Sequence, residues 1–288
     1  MSVTTMPITE LAQRVRRLQL AAIFHAGSGH PGGSLSCTDI LVWLWEFLYR
    51  DDEPNRATGG EQFVLSKGHA APALYAVGAE FGLITPAEAM RLRKLDSPCQ
   101  GHPHVIDLPW TGASTGSLGQ GFSVAVGKAL ALRHRNLDGH VTVILGDGEL
   151  QEGEVWEAAM SAAHHKLGKL SVVVDFNKLQ SDDLNSNICG LEPLADKWRS
   201  FGWRTLEVDG HDFDALGRAF AEARSESDQP TCIIAHTIKG QGIGYMEASP
   251  LWHGSVCLTE KQLRDALIEL ETPEAEIADW IKGEAPRD

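Results

Sequence analysis

The chain has 288 residues, 43% of them hydrophobic, and a formal net charge of −14 at pH 7. This length suits one large domain or two small ones, and the acidic balance argues against nucleic acid as a partner. No apolar run approaches the ~18 residues of a membrane-spanning helix, and the N-terminus lacks a secretory signal pattern, so we expect no membrane association. The five cysteines are scattered without a C-x-x-C pair, which predicts reduced thiols in a cytoplasmic protein.

The first part of the chain predicts mainly helices. They cover residues 8–26, 39–49 and 70–81, and a further helix begins at Thr85-Pro86. The assignments rest on apolar residues at helical spacing and on capping residues. Residues 63–65 predict a short strand. Residues 96–118 are rich in Pro, Gly, His and Ser and predict a long loop, which in a compact domain is usually functional.

The rest of the chain predicts alternating strands and helices. The strands cover residues 141–145, 170–174, 205–208 and 232–236. The helices cover residues 119–135, 154–167, 212–224 and 259–282. Such alternation is typical of an α/β fold, with a mostly parallel sheet and helices on both faces. We expect one α/β domain over residues 1–258, with residues 259–288 as an acidic helical tail of that domain.

Two neighbouring predicted strands end in polar side chains. Gly146-Asp147-Gly148 follows one strand, and Asn177 follows the next. Ligands of open α/β folds bind at the carboxyl ends of the strands, where carboxylate and amide oxygens suit Mg²⁺ or Ca²⁺. The glycines allow a tight turn and a close approach, and the start of the helix that follows favours an anion. The pattern predicts a divalent metal that bridges a diphosphate to the protein.

The segment G-D-G followed by a later Asn resembles the thiamine diphosphate motif. Three further stretches are similar in order and spacing to the transketolase family, with a weaker match at W-H-G. These stretches are S-G-H-P-G-G-S-L-S at 28–36, L-S-K-G-H-A-A-P-A-L-Y at 65–75, G-H-P-H at 101–104 with T-G-S-L-G-Q-G at 115–121, and W-H-G at 252–254. The chain therefore resembles the N-terminal, diphosphate-binding part of a transketolase over residues 8–256. This resemblance implies the thiamine-diphosphate-binding fold.

The resemblance assigns roles to eleven residues. Those implied to bind the cofactor are His69, Gly116, Leu118, Gly148 and His253. Those implied to hold the metal are Asp147, Asn177 and the backbone carbonyl of Leu179. Those implied to act in catalysis are His30 and His102, on the sugar side, and Glu152, in a proton network at a dimer interface. Imidazole suits both anion contact and proton transfer near neutral pH.

Two positions leave alternatives open. Glu152 also fits an ordinary acid in the first turn of a helix, where the helix dipole stabilises it. Residues 180–186, Q-S-D-D-L-N-S, are more polar than the family pattern after the carbonyl of Leu179, so Leu179 departs further from the family than Asp147 or Asn177.

A separate glycine pattern at 27–32 matches the dinucleotide fingerprint G-x-G-x-x-G. It follows a predicted helix instead of a strand, and Pro31 removes one phosphate-binding N–H, so we reject dinucleotide binding there.

The resemblance implies an enzyme that moves a two-carbon ketol unit from a ketose, expected to be phosphorylated, to an aldose. The implied cofactors are thiamine diphosphate and Mg²⁺ or Ca²⁺. We find no counterpart here of the transketolase domain that binds the aminopyrimidine ring. We therefore expect a separate C-terminal transketolase subunit, with two copies of each chain. Two alternatives remain: a non-catalytic thiamine-diphosphate-binding or regulatory homologue, and a related thiamine-diphosphate-dependent synthase.

Overall fold

The computed structural model describes residues 6–51, 53–55, 59–225 and 228–285. Five strands form its central sheet: β1 (Gln62–Leu65), β2 (Val141–Gly146), β3 (Leu170–Phe176), β4 (Arg204–Asp209) and β5 (Thr231–His236). Their order is β1-β2-β3-β5-β4, and every neighbouring pair is parallel. This confirms the predicted α/β class. The order also places β5 inside the sheet and β4 at its edge.

Helices cover both faces of the sheet. In chain order they are α1 (Ile8–Ala26), α2 (Pro31–Ser36), α3 (Thr38–Leu44), α4 (Ala71–Glu80), α5 (Pro86–Ala89), α6 (Gln120–His134), α7 (Gly153–His164), α8 (Asn185–Ile188), α9 (Leu194–Ser200), α10 (Phe213–Arg224), α11 (Glu260–Glu269) and α12 (Glu274–Lys282). The predicted helices and strands are confirmed, with boundaries that shift by a few residues. The sequence did not predict α2, α8 or α9. The acidic tail is two helices, α11 and α12, instead of one.

Side-chain alternation along the strands divides the core into two clusters. In β2, Ile144 belongs to one cluster, whereas Val143 and Leu145 belong to the other. The first cluster joins the sheet to α1–α4 and α10–α12, and the second joins it to α6, α7 and α9. Because both faces are covered, the inner strands β2, β3 and β5 are buried along almost their whole length and are rich in apolar residues, as parallel strands usually are.

The C-terminal helices pack on the first cluster. Leu263 of α11 and Trp280 of α12 are buried in the same cluster as Val15 of α1. Thr259 and Gln262 form a capping box that starts α11. The domain boundary at residue 258 stays a prediction. Among the described residues, no helix has the length and apolar character needed to cross a membrane.

Parallel strands bring the site residues to one edge of the sheet. Gly146 of β2 is paired in register with Asp175 of β3, so the segments that follow these strands emerge side by side. On the same side, α1 ends at Gly27 in a left-handed conformation with φ of 69°, and α2 begins at Pro31. The glycine pattern at 27–32 therefore joins two helices, which agrees with the rejection of a dinucleotide site there.

Candidate active site

A cavity of about 270 Å³ lies at the carboxyl edge of β2 and β3. Ten of the eleven residues singled out by sequence line it: His30, His69, His102, Gly116, Leu118, Asp147, Gly148, Asn177, Leu179 and His253. They come from seven separate stretches of the chain, which only the fold brings together. Glu152 does not line this cavity.

Asp147 and Asn177 provide the oxygen-rich side of the cavity. The Asp147 side chain is only 2% exposed, and its carboxylate accepts hydrogen bonds from the backbone N–H groups of Gly148, at 2.7 Å, and Lys178. Burial, together with the nearby Asp175 carboxylate, raises the pKa of Asp147 to about 6. A buried carboxylate without a cation beside it is unfavourable. The position therefore fits a divalent metal.

The donor set is one carboxylate, one amide and one carbonyl. Asn177 Oδ1 accepts a hydrogen bond from the backbone N–H of Leu179 at 3.2 Å. Within the described chain, no group of three or more His, Cys, Asp or Glu side chains is placed to hold a metal. Oxygen donors of mixed type are what Mg²⁺ and Ca²⁺ accept, and Mg²⁺ commonly takes further ligands from phosphate. The residues present fit a hard cation bound together with a diphosphate.

Lys239 is a cavity residue that the sequence reasoning missed. Its side chain is 1% exposed, and Nζ donates a hydrogen bond to the Leu179 carbonyl at 2.9 Å and contacts His253 Nδ1. Burial, followed by the charge of Lys67, lowers the pKa of Lys239 to about 8. The available signal was a lysine followed by glycine just beyond β5. Because the ammonium group occupies the Leu179 carbonyl, that carbonyl remains a predicted ligand only.

Three histidine rings of the cavity lie close together. The ring centroids of His30, His69 and His253 are 5.2 to 5.9 Å apart. Burial and nearby positive charge lower the pKa of His30 to about 4 and of His253 to about 3, and hold the pKa of His69 well below its usual value. The rings are therefore neutral near pH 7. His30 Nδ1 is buried and has no hydrogen-bond partner, which leaves it available to a ligand.

Glycines allow the histidines to approach the backbone closely. A Cβ atom at Gly254 would lie 2.4 Å from the His30 ring, and one at Gly116 would lie 3.1 Å from the His102 ring. A larger residue at Gly254 would displace His30. His102 is further held by Tyr75, whose hydroxyl donates to the His102 carbonyl at 3.1 Å.

A buried ion pair lies beneath the cavity. Lys67 Nζ contacts the Asp175 carboxylate and donates to the Gly33 carbonyl at 2.8 Å. Asp175 also accepts hydrogen bonds from the hydroxyls of Ser36, at 2.6 Å, and Thr237. The pair thus connects the turn after β1, α2, β3 and the segment after β5. Lys67 was part of a recognised motif, but its partner, a charged residue inside an apolar strand, was not recognised.

Glu149 is a second buried acid that the sequence reasoning missed. Its side chain accepts hydrogen bonds from the Ser66 hydroxyl and from the backbone N–H groups of Gly119, at 2.8 Å, and Gly146, at 2.9 Å. One carboxylate therefore joins three segments that line the cavity. Glu152, the acid chosen from the sequence, is exposed and precedes α7 without capping it through its side chain. Its catalytic role stays a prediction.

The sequence model of one protein family, described as "Transketolase, thiamine diphosphate binding domain", matches residues 8–272. The chain belongs to the transketolase family. The match covers most of the chain and includes every residue that lines the cavity.

Relatives that are themselves subunits match this transketolase-family chain over nearly their whole length. It is 40% identical over 275 residues to the 6-deoxy-6-sulfo-D-fructose transketolase subunit of Clostridium sp. (strain MSTE9), covering 94% of this chain and 98% of that one. It is 35% identical over 272 residues to an apulose-4-phosphate transketolase subunit of Phocaeicola vulgatus, covering 94% of this chain and 95% of that one.

Solved transketolase structures share the fold. Transketolase from Leishmania mexicana superimposes with a TM-score of 0.84 at 26% sequence identity, covering 97% of this chain and 44% of that chain. The chain thus spans less than half of this transketolase and nearly the whole of the two subunits.

Proposed function

We propose that this chain is the diphosphate-binding subunit of a two-subunit transketolase that transfers a two-carbon ketol unit from a ketose to an aldose. The observation that carries the proposal is the cavity at the carboxyl edge of β2 and β3, where ten predicted residues meet. The family match and the two subunit relatives support the same function. A non-catalytic binding module is not favoured, because His30 and His102 remain in the cavity beside the cofactor-binding residues.

Different residues of the cavity would bind the metal, the diphosphate and the sugar. Asp147, Asn177 and the Leu179 carbonyl would hold Mg²⁺. Lys239 with His69 and His253 would bind the diphosphate oxygens, since an ammonium and neutral imidazole N–H groups are hydrogen-bond donors. When bound, thiamine diphosphate supplies an electron sink for cleaving and forming a carbon–carbon bond next to a carbonyl.

His30 and His102 would act on the sugar. As neutral imidazoles they can donate a hydrogen bond to one sugar hydroxyl or accept a proton from it. The unpartnered Nδ1 of His30 would hold or move a proton there. We infer that the donor is a ketose with an anionic end, because the names of the two relatives contain a sulfonated and a phosphorylated sugar.

A second subunit is needed to complete the site. Two carboxylates line the cavity among the described residues, and both are engaged. Asp147 is the proposed metal ligand, and Glu149 accepts hydrogen bonds from three segments. Neither is free to protonate an aminopyrimidine ring. We therefore propose that a partner resembling the C-terminal part of transketolase supplies this acid.

Exposed apolar side chains on the site-bearing loops support such a partner. Leu251 is 82% exposed and Ile106 is 79% exposed. They lie on the segments that carry His253 and His102. A partner subunit seated on these loops would bury both side chains. We propose an assembly with two copies of each chain, in the cytoplasm, where the five free cysteines would stay reduced.

The proposal is tested by reconstitution. The chain is assayed alone and with a C-terminal transketolase subunit, in the presence of thiamine diphosphate and Mg²⁺, on a panel of ketose and aldose phosphates and sulfonates. We expect ketol transfer only with both subunits. Asp147→Ala should abolish metal-dependent cofactor binding in calorimetry, whereas the matched control Glu157→Ala, an exposed acid of α7, should not. Robust turnover by the chain alone would overturn the two-subunit proposal, and a condensation product without ketol transfer would point to a synthase.

A further inference from the structure

Arg93 lies behind the two histidines that face the sugar. It follows α5 in a turn, where its own φ is 59° and its backbone N–H donates to the Cys99 carbonyl at 2.9 Å. It does not line the cavity. Its guanidinium nevertheless reaches the two segments that lead into His30 and His102.

Two contacts connect Arg93 to these segments. Nη1 donates a hydrogen bond to the Ser28 hydroxyl at 2.7 Å, two residues before His30. On the other side, a Cβ atom at Gly101 would lie 2.9 Å from Arg93 Nε and 3.3 Å from its Cζ, so the guanidinium packs directly on the residue before His102. A residue larger than glycine at position 101 would displace the Arg93 side chain.

The charge of Arg93 is not paired with an acid among the described residues. In the part of the chain that the structure describes, its only side-chain hydrogen bond is to Ser28, and it forms no ion pair. Arginine stays protonated at any physiological pH. A half-buried cation without an acid partner in the described chain therefore lies against the two segments that carry His30 and His102.

We propose that Arg93 is a positioning residue, which holds the His30 and His102 segments at a fixed separation and keeps a permanent positive charge behind both rings. The proposal rests on the proposed function for the role of the two histidines, but its geometry belongs to this chain alone. A rigid planar guanidinium suits this purpose better than a flexible lysine.

The charge has a direct electrostatic consequence. Burial first and Arg93 second lower the pKa of His30 to about 4, and the same two causes lower the pKa of His102. Arg93 thereby helps to keep both imidazoles neutral at pH 7. The other charged or titratable groups that face His30 are His102, Lys239, Lys67, His69 and His253.

The first test is a histidine titration by NMR on the isolated, isotope-labelled chain, with signals assigned from single histidine variants. In Arg93→Met, we expect the pKa of His30 and of His102 to move upward. Arg93→Lys keeps the positive charge, so the pKa of both histidines should stay close to the wild-type values. Lys94→Met is the matched control, because it removes an exposed charge from the next position. Unmoved titrations in Arg93→Met, or an equal shift in Lys94→Met, would overturn the electrostatic role.

The second test is steady-state kinetics of the reconstituted enzyme. Misplaced catalytic groups cost on the order of 100-fold, so we expect Arg93→Met to lower kcat by about 10- to 100-fold while the cofactor dissociation constant stays near that of the wild type. Ser28→Ala keeps the charge but removes the anchor, and serves if Arg93→Met does not fold. It should lower kcat without moving the histidine titrations, and an unchanged kcat would overturn the positioning role. If even the wild type shows no ketol transfer, the proposed function fails, whereas the titrations still decide the role of Arg93.

Discussion

Replacing Lys67 with Met removes one partner of the buried ion pair beneath the cavity. Both side chains are almost fully buried, with relative exposures of 1% for Lys67 and 0% for Asp175. Met fills a similar volume but leaves the Asp175 carboxylate without a cation. Breaking a buried pair in this way typically costs about 3–5 kcal/mol. Since Asp175 keeps the hydroxyl donors of Ser36 and Thr237, we expect the lower end, about 3 kcal/mol of unfolding free energy at pH 7.

The sign of the pH dependence follows from Asp175. Burial alone would raise its pKa, but the Lys67 charge and the hydrogen bonds from Lys67, Ser36 and Thr237 lower it below its usual value. In the wild type, this stabilisation is present above the unfolded pKa, near 4, and is lost as the pH falls through the folded value. In Lys67→Met, burial dominates and the carboxyl takes up a proton more readily. The stability difference is therefore largest near pH 7 and narrows as the pH falls toward about 4.

Urea unfolding followed by circular dichroism measures this difference, with equal m-values required for the comparison. Lys94→Met is the control for loss of a surface lysine. The double variant Lys67→Met/Asp175→Asn removes both charges and keeps an acceptor for the hydroxyls, so it should be more stable than Lys67→Met alone. A loss below about 1 kcal/mol at pH 7, the range of an exposed pair, would refute the reasoning. A difference that grows as the pH falls would refute it as well.

Three further predictions concern the cavity itself. Glu149→Ala leaves two buried backbone N–H groups without an acceptor and should cost about 2–6 kcal/mol of unfolding free energy, at about 1–3 kcal/mol for each group; Glu157→Ala is the exposed control, and an equal effect in both would contradict the assignment. Lys239→Met should weaken thiamine diphosphate binding in calorimetry by about 10- to 100-fold, the value of one charge-assisted hydrogen bond, and unchanged affinity would remove Lys239 from the diphosphate site. His102→Ala should lower kcat of the reconstituted enzyme by about 10²- to 10⁴-fold with little change in cofactor affinity; near-normal kcat would show that His102 does not act on the sugar.

Local patterns were enough to predict the framework of this site. The apolar runs that became β2 and β3 each end in a polar residue, and the parallel sheet class was sufficient to place Asp147 beside Asn177. The family motifs then singled out the histidines, each in an irregular segment next to glycine. Each of these signals spans only a few neighbouring residues, so it can be read from the sequence alone.

The partners of buried charges were decided only by the tertiary structure. Lys67 and Asp175 are separated by 108 positions, and Lys239 and the Leu179 carbonyl by 60. Glu149 and Glu152 looked alike as acids after the G-D-G turn, yet one is buried among three segments and the other is exposed. Hydrophobic periodicity reports which face of an element is buried. It does not report which distant polar group satisfies a charge there, because that depends on how the elements pack.

The strands, too, were determined by the sequence, whereas their order was decided by the tertiary structure. Each of the five strands was predicted from its own residues, but the position of β5 between β3 and β4 was not. That order brings the segment after β5, with Thr237 and Lys239, against Asp175 and Leu179. The sequence determined the elements and most of the chemistry at their ends. Only the packing of the sheet and helices decided which of those ends form one cavity, since burial of charge in that cavity depends on contacts between residues far apart in the chain.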